Sequence, residues 1–159
     1  MTVTPSPLQL LDFVVGRMDY AYRPIEGEAD VSSVSQFHFD GARFGDEAFL
    51  SLHVTLNRSE AATPERQSEV DRNPHTAEVK VSGRFLWEGE DVPDREAITV
   101  VNGLSILYGI ARVLVAQASA AGPGGRFMLP VYSFRDIELE LRDLGDDDSV
   151  DGGKVTELD

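Results

Sequence analysis

The chain has no cysteine, which excludes disulfides, thiolate catalysis and cysteine-ligated zinc together. Nothing in it calls for an oxidising compartment. Lysine is nearly absent too: Lys80 and Lys154 stand alone beside arginines scattered without a cluster. Acidic residues outnumber basic ones 28 to 14, for a formal charge of -14, so a phosphate backbone is repelled and nucleic acid is not an expected partner. The same excess favours solubility and would suit a high-salt cytoplasm. Residues 1 to 16 carry no Lys or Arg, and the run LQLLDFVV is broken by Asp12. A cationic leader followed by an apolar stretch is therefore missing, and a cytoplasmic protein is expected.

Catalytic signatures are also missing. There is no phosphate-cradling glycine motif, nucleophile elbow or HExxH pattern, and GPGGR follows a helical pattern where phosphate binding needs glycines to open one. No catalytic residue, cofactor or metal ligand is assigned, and the reading is a non-enzyme. Only three histidines occur, His38, His53 and His75. His38 and His53 fall on the polar faces of neighbouring strands, so a shared metal is conceivable, with solvated imidazoles the favoured reading. Asp146, Asp147 and Asp148 could attract cations but lack the rigid cage of a calcium site.

What is present is enough apolar content, 42% of 159 residues, for one domain with a real core. The first half alternates. Met18, Tyr20 and Tyr22 share one face of a strand that Pro24 closes, with TPSPLQLLDFVV before it readable as a helical turn or an earlier strand start. Phe37 and Phe39 mark a second strand ending near Gly41, and Leu50, Leu52, Val54 and Leu56 a third. Ala77, Val79, Val81, Phe85 and Trp87 mark a fourth, in which Gly83 suggests a bulge or a close neighbour. A polar insertion spans 59–74, where Thr63, Pro64 and Glu65 could open a short helical turn, a mobile excursion being an equal reading.

From Asp94 the period changes to that of a helix. Ile98, Val101, Leu104, Leu107 or Tyr108, Ala111, Leu114 or Val115 and Ala118 recur at spacings of three and four until Gly122–Gly125 end it. Asn102 and Gly103 could kink it. The other face is apolar as well, through Ile106, Ile110 and Val113, and one sheet covers only one side of a helix, so a partner chain is expected over the rest. Residues 97 to 121 are long enough to cross a bilayer, but Arg112 at mid-membrane would cost about 2.5 to 3.5 kcal/mol, so no membrane span is expected. RFMLPVYSF then reads as extended, RDIELELRDL alternates Ile137, Leu139 and Leu141, and an acidic disordered tail is expected over 143–159. The expected class is α+β: a four-stranded antiparallel sheet followed by a long helix, in a single domain over 1–142.

The stretch ILYGIARVLVAQASAAGPGGRFMLPVYSF resembles the SecB export-chaperone family, whose pattern is Ile-Leu, an aromatic, Pro-Tyr-Ala-Arg, a helix end at Arg-Gly and Leu-x-Leu-x-Pro-(Val/Ile)-Asn-Phe. Ile106, Leu107, Ala111 and Arg112 fit the first part; Gly125, Leu129, Val131 and Phe134 fit the second. VSQFHFDGARFGDEAFLSLHVTLN resembles the family's second and third strands. This sequence has Gly109-Ile110 where the family has Pro-Tyr, and RDIELELRDL where a second helix usually follows.

The resemblance implies a SecB-like homotetramer, a dimer of dimers packed through the long helix, with an oligomer interface at Leu104, Leu107, Tyr108, Ala111, Arg112 and Leu114. It also implies an ATP-independent holdase that binds unfolded polypeptides in an apolar groove of Phe85, Trp87, Met128, Leu129, Val131 and Phe134. The export translocase motor is a further implied partner, although Met18 and Tyr22 or their neighbours occupy the strand-one positions where the family is acidic. Two other readings stand beside it: a SecB-like module with one dedicated partner such as an antitoxin or phage protein, and a small-ligand enzyme on a sheet-plus-helix fold.

Overall fold

The computed structural model describes residues 6–27, 35–57, 64–66 and 72–145. Four long strands, β1 (Leu8–Tyr22), β2 (Ser35–Phe44), β3 (Glu47–Leu56) and β4 (His75–Trp87), precede one helix, α1 (Arg95–Ala120), and a two-residue strand, β5 (Arg142–Asp143), follows it. The sheet order is β1-β4-β3-β2-β5. Strands β2, β3 and β4 form a meander, and β1 returns to lie beside β4, giving a Greek-key arrangement. The expected four antiparallel strands are there, but the sheet is mixed and five-stranded, because Arg142 and Asp143 pair in parallel with Ala42 and Arg43. That short pairing is held by Leu144 N–H donating to the Arg43 carbonyl at 2.8 Å and by Arg43 against Asp143 at 3.2 Å. Two residues inside a charged stretch carry no strand signal of their own.

The ambiguous N-terminal run is strand, not helical turn. Leu8 pairs with Trp87 and Leu10 with Phe85, which brings both leucines to the core face. The register then slips twice, between Leu10 and Asp12 and between Val15 and Arg17. Such bulges bend an edge strand and sharpen its twist. Within the polar insertion, Pro64–Arg66 form a 3-10 turn; Thr63 and most of the 59–74 insertion lie outside the described residues.

The core lies between the sheet and α1. Leu50, Leu52, Val54 and Leu56 of β3 and Val79, Val81 and Phe85 of β4 meet Val100, Leu104, Leu107, Ala111 and Val115 of the helix, all essentially without solvent contact. Glycine sets the helix-to-sheet distance at two points. A Cβ on Gly103 would run into Leu50 Cδ1, and one on Gly83 would lie 2.9 Å from Leu107 Cδ2. Gly103 therefore serves close packing inside an unbroken helix, where a kink was conceivable, and Gly83 marks a close neighbour with no bulge in β4. Asp94 occupies the N-cap position, but its side chain makes no cap hydrogen bond.

Helix α1 packs mainly on β1, β3 and β4 and touches β2 through Tyr108, leaving the rest of the inner face of β2 to the segment that follows the helix. Gly122–Gly125 turns the chain, with Gly125 at φ 71°, and residues 126–141 run back over β2 as an irregular strap. Phe37 meets Tyr108, Tyr132 and Phe134, and Phe39 meets Phe134, at edge-to-face angles and 4.9 to 6.0 Å between ring centres. Ile137, Leu139 and Leu141 pack on the same core from the far end of the strap. Their alternation thus marks the buried side correctly even though these residues form no strand. The tail from residue 146 onward lies outside the described residues.

Candidate binding surface

One side of α1 is fixed by the chain's own sheet. Leu104, Leu107 and Ala111 are fully buried and Tyr108 nearly so, so four of the six residues expected to meet a partner are spent on the internal core. Arg112 is occupied too: its Nε donates to the Leu129 carbonyl at 3.0 Å. Leu114 is half-buried against the same core. The helix nonetheless keeps an open apolar side. Ile106 and Val113 are exposed, Val113 by 52%, and with Gly109, Ile110, Leu114 and Gln117 they line a shallow depression of about 450 Å³ closed on one flank by Phe13 of β1.

That depression continues onto the sheet edge. β1 pairs only with β4 among the described strands, so its other side presents unpaired backbone groups. Phe13 and Val15 share the helix-side face, opposite Gly83 and Val81, yet Phe13 remains 48% exposed because α1 does not reach across it. Leu11 and Val14 are exposed on the same strand. An apolar stretch of edge from Leu11 to Val15, interrupted by Asp12, beside an apolar helix face is a kind of patch that soluble chains rarely leave uncovered. By length and composition alone α1 could also span a membrane, but ten of its residues are buried within this fold. Of the residues expected to meet a partner, Leu114 lines the open depression, while Leu104, Leu107, Tyr108 and Ala111 face the internal core; Ile106, Ile110 and Val113 are visible in the sequence as the second apolar face, while Phe13 is hidden in a run of ambiguous pattern.

The expected groove divides in the same way. Phe85, Trp87, Leu129 and Phe134 are buried and are core residues. Trp87 is pinned there by its Nε1–H donating to the Glu90 carbonyl at 3.1 Å and by the Arg95 guanidinium 5.6 Å from its ring centre. Met128 and Val131 are exposed, Val131 by 80%, and Tyr132 is open beside them. These three lie on the strap, which is clamped from beneath. Tyr108 O–H donates to the Pro130 carbonyl at 2.6 Å, next to the Arg112 bond to Leu129. Burial first, and then the neighbouring Tyr132, push the Tyr108 phenol far above its ordinary range, with Arg112 opposing, so it stays a donor at any ordinary pH. Ser119 Oγ accepts from Phe127 N–H at 2.8 Å and donates at the helix end, closing the strap's entry.

At the opposite end of the sheet a cavity of about 530 Å³ is lined by Arg43, Asp46, Glu47, Asp91, Arg95 and Glu96 with Trp87. Its charges are engaged with one another, Arg95 with Asp46 at 2.8 Å and Arg43 with Glu96 at 3.7 Å, and Glu96 accepts the Leu141 N–H at 2.9 Å. These pairings make it a brace between β2, α1 and the strap.

No family model matches the sequence, and no curated protein matches it. Among solved structures, one that resembles this chain is the SecB-like chaperone of Mycobacterium tuberculosis in complex with a ChAD peptide from the HigA1 antitoxin, at 16% identity and a TM-score of 0.45, covering 79% of this chain and 91% of that one.

Proposed function

We propose that this protein is a SecB-like, ATP-independent holdase that works as a homo-oligomer in the cytoplasm and retains non-native polypeptides on apolar surface. The observation that carries the reading is the amount of apolar surface left open on two separate parts of one well-packed domain. Phe13 of β1 and Ile106, Ile110 and Val113 of α1 line one apolar depression, and Leu11 is exposed on the same strand, a surface suited to a second copy of the chain. Two such edges can pair in antiparallel fashion while the helices pack behind them. A dimer of dimers is the form of this assembly that we favour.

The second surface is the strap, where Met128, Val131 and Tyr132 project from irregular backbone. A flexible thioether, a branched aliphatic and an aromatic with a polar tip adapt to many sequences and need no covalent chemistry. The charge of -14 favours clients with basic segments. An export link has less support. Asp12 and Asp19 on the outer face of β1 are already paired, with Arg84 at 2.9 Å and Arg17 at 2.8 Å, and a translocase motor would have to compete with those partners.

The test is the aggregation of a chemically denatured model client diluted into buffer without nucleotide. The protein at near-equimolar ratio is expected to slow light scattering, and Val131→Asp with Met128→Ser to weaken that effect while the melting temperature stays unchanged. Aggregation at the rate seen without protein, across a range of salt, removes the holdase reading. Recovery of a single stoichiometric partner in place of many clients selects the dedicated-partner module.

A further inference from the structure

We propose that the outer face of the sheet carries a divalent transition-metal site built on His38 and His53, with Glu78 as the carboxylate that orients the second ring. His38 of β2 and His53 of β3 are direct cross-strand partners, with ring centres 6.0 Å apart and planes tilted by 37°. A metal–nitrogen bond of about 2.0 to 2.1 Å puts a bound cation roughly 3.2 Å from each ring centre. Two imidazoles on one cation therefore have centres about 5.2 Å apart at a tetrahedral angle and about 6.4 Å apart when opposed. The observed spacing falls between those limits.

The carboxylate is the second, independent observation. His53 Nε2 lies 2.9 Å from Glu78 Oε1, and Glu78 is almost fully buried, with Arg17 holding its other oxygen at 3.2 Å. In the neutral tautomer whose Nε2–H donates to Glu78, Nδ1 of His53 is the nitrogen that carries a lone pair for a metal. Carboxylate–histidine–metal chains of this kind fix the tautomer and raise the basicity of the ligating ring. Lys80, the β4 partner of His53, runs its stem along Gly16. The acidic excess of the whole chain adds a field that favours cations.

Among the described residues no group of three or more His, Cys, Asp or Glu is placed to hold a metal. The site thus offers two nitrogens and leaves the other positions to water, the chemistry of an exchangeable ion. Imidazole donors select zinc or copper over magnesium or calcium. The sequence alone favoured solvated imidazoles; the buried carboxylate behind His53 is what the structure adds.

Titration calorimetry of the full chain with Zn2+ alone is expected to give one ion per chain. His38→Ala should abolish that binding, His75→Gln should leave it intact, and Glu78→Gln should weaken it by about 10- to 100-fold. Circular dichroism melts check that each variant is folded, and the Cu2+ form should show electron paramagnetic resonance couplings to two imidazole nitrogens. Unchanged binding in His38→Ala, which would place the ion on carboxylates, overturns the proposal, as does the absence of saturable binding in the parent chain.

Discussion

His75 is the residue where a single proton acts on the fold. Its ring stacks on Phe127 of the strap at 4.3 Å, its Nδ1 lies 2.8 Å from Tyr20 Oη, and Tyr22 flanks it. The backbone on either side is tied down by Asn57 and Asn73. Burial lowers its pKa below the ordinary imidazole value of 6.5, so the unfolded chain binds the proton more readily than the folded one. The stability this neutral ring confers is complete above that value and drains as pH falls through and below it. Thermal melts between pH 7.5 and 5 should show a steeper acid loss for the parent than for His75→Gln; parallel curves would contradict this. Tyr108 is the other residue whose environment makes a prediction. Removing its hydroxyl in Tyr108→Phe takes the donor from the Pro130 carbonyl, for an expected loss of about 1 kcal/mol. Amide exchange over 126–134 should quicken in the same variant, since the strap loses one of the bonds that clamp it.

Helix α1 separates two roles by face, and substitutions should sort accordingly. Leu107→Ala opens a cavity between α1 and the sheet, at an expected cost of about 2 to 5 kcal/mol. Gly103→Val overpacks the contact with Leu50 and should cost about 1 to 3 kcal/mol. Val113→Asp on the open side should change the stability of an isolated chain by less than about 0.5 kcal/mol, as read from chemical denaturation. The elements themselves were legible because their periods are strong: alternation at Leu50–Leu56 and Ala77–Trp87, and three-four spacing from Ile98 onward. The face assignment was not. With apolar residues all round the helix, the sequence holds no label for which stripe meets the sheet, and the choice is made by Gly103, whose missing side chain lets α1 settle against Leu50. Of the expected groove, Phe85 and Trp87 sit on a strand whose inner face the helix covers. Met128 and Val131, on irregular backbone, stayed open. β5 and the bulges in β1 rest on pairing across the sheet, and local pattern does not record such pairing.

The whole molecule is a small domain that satisfies its core and leaves a second apolar seam unmatched. Charge keeps such a chain in solution, at -14 for 159 residues, but does not remove the cost of an apolar edge and helix side left in water. The self-association proposed above would reconcile the two by covering that seam. Multi-angle light scattering of the purified chain at micromolar concentration tests this most directly. A mass at a multiple of 17.4 kDa, falling to the single-chain value in the Ile106→Asp, Val113→Asp double variant, is what the arrangement of β1 and α1 predicts. A parent protein that runs as a folded single chain would contradict it.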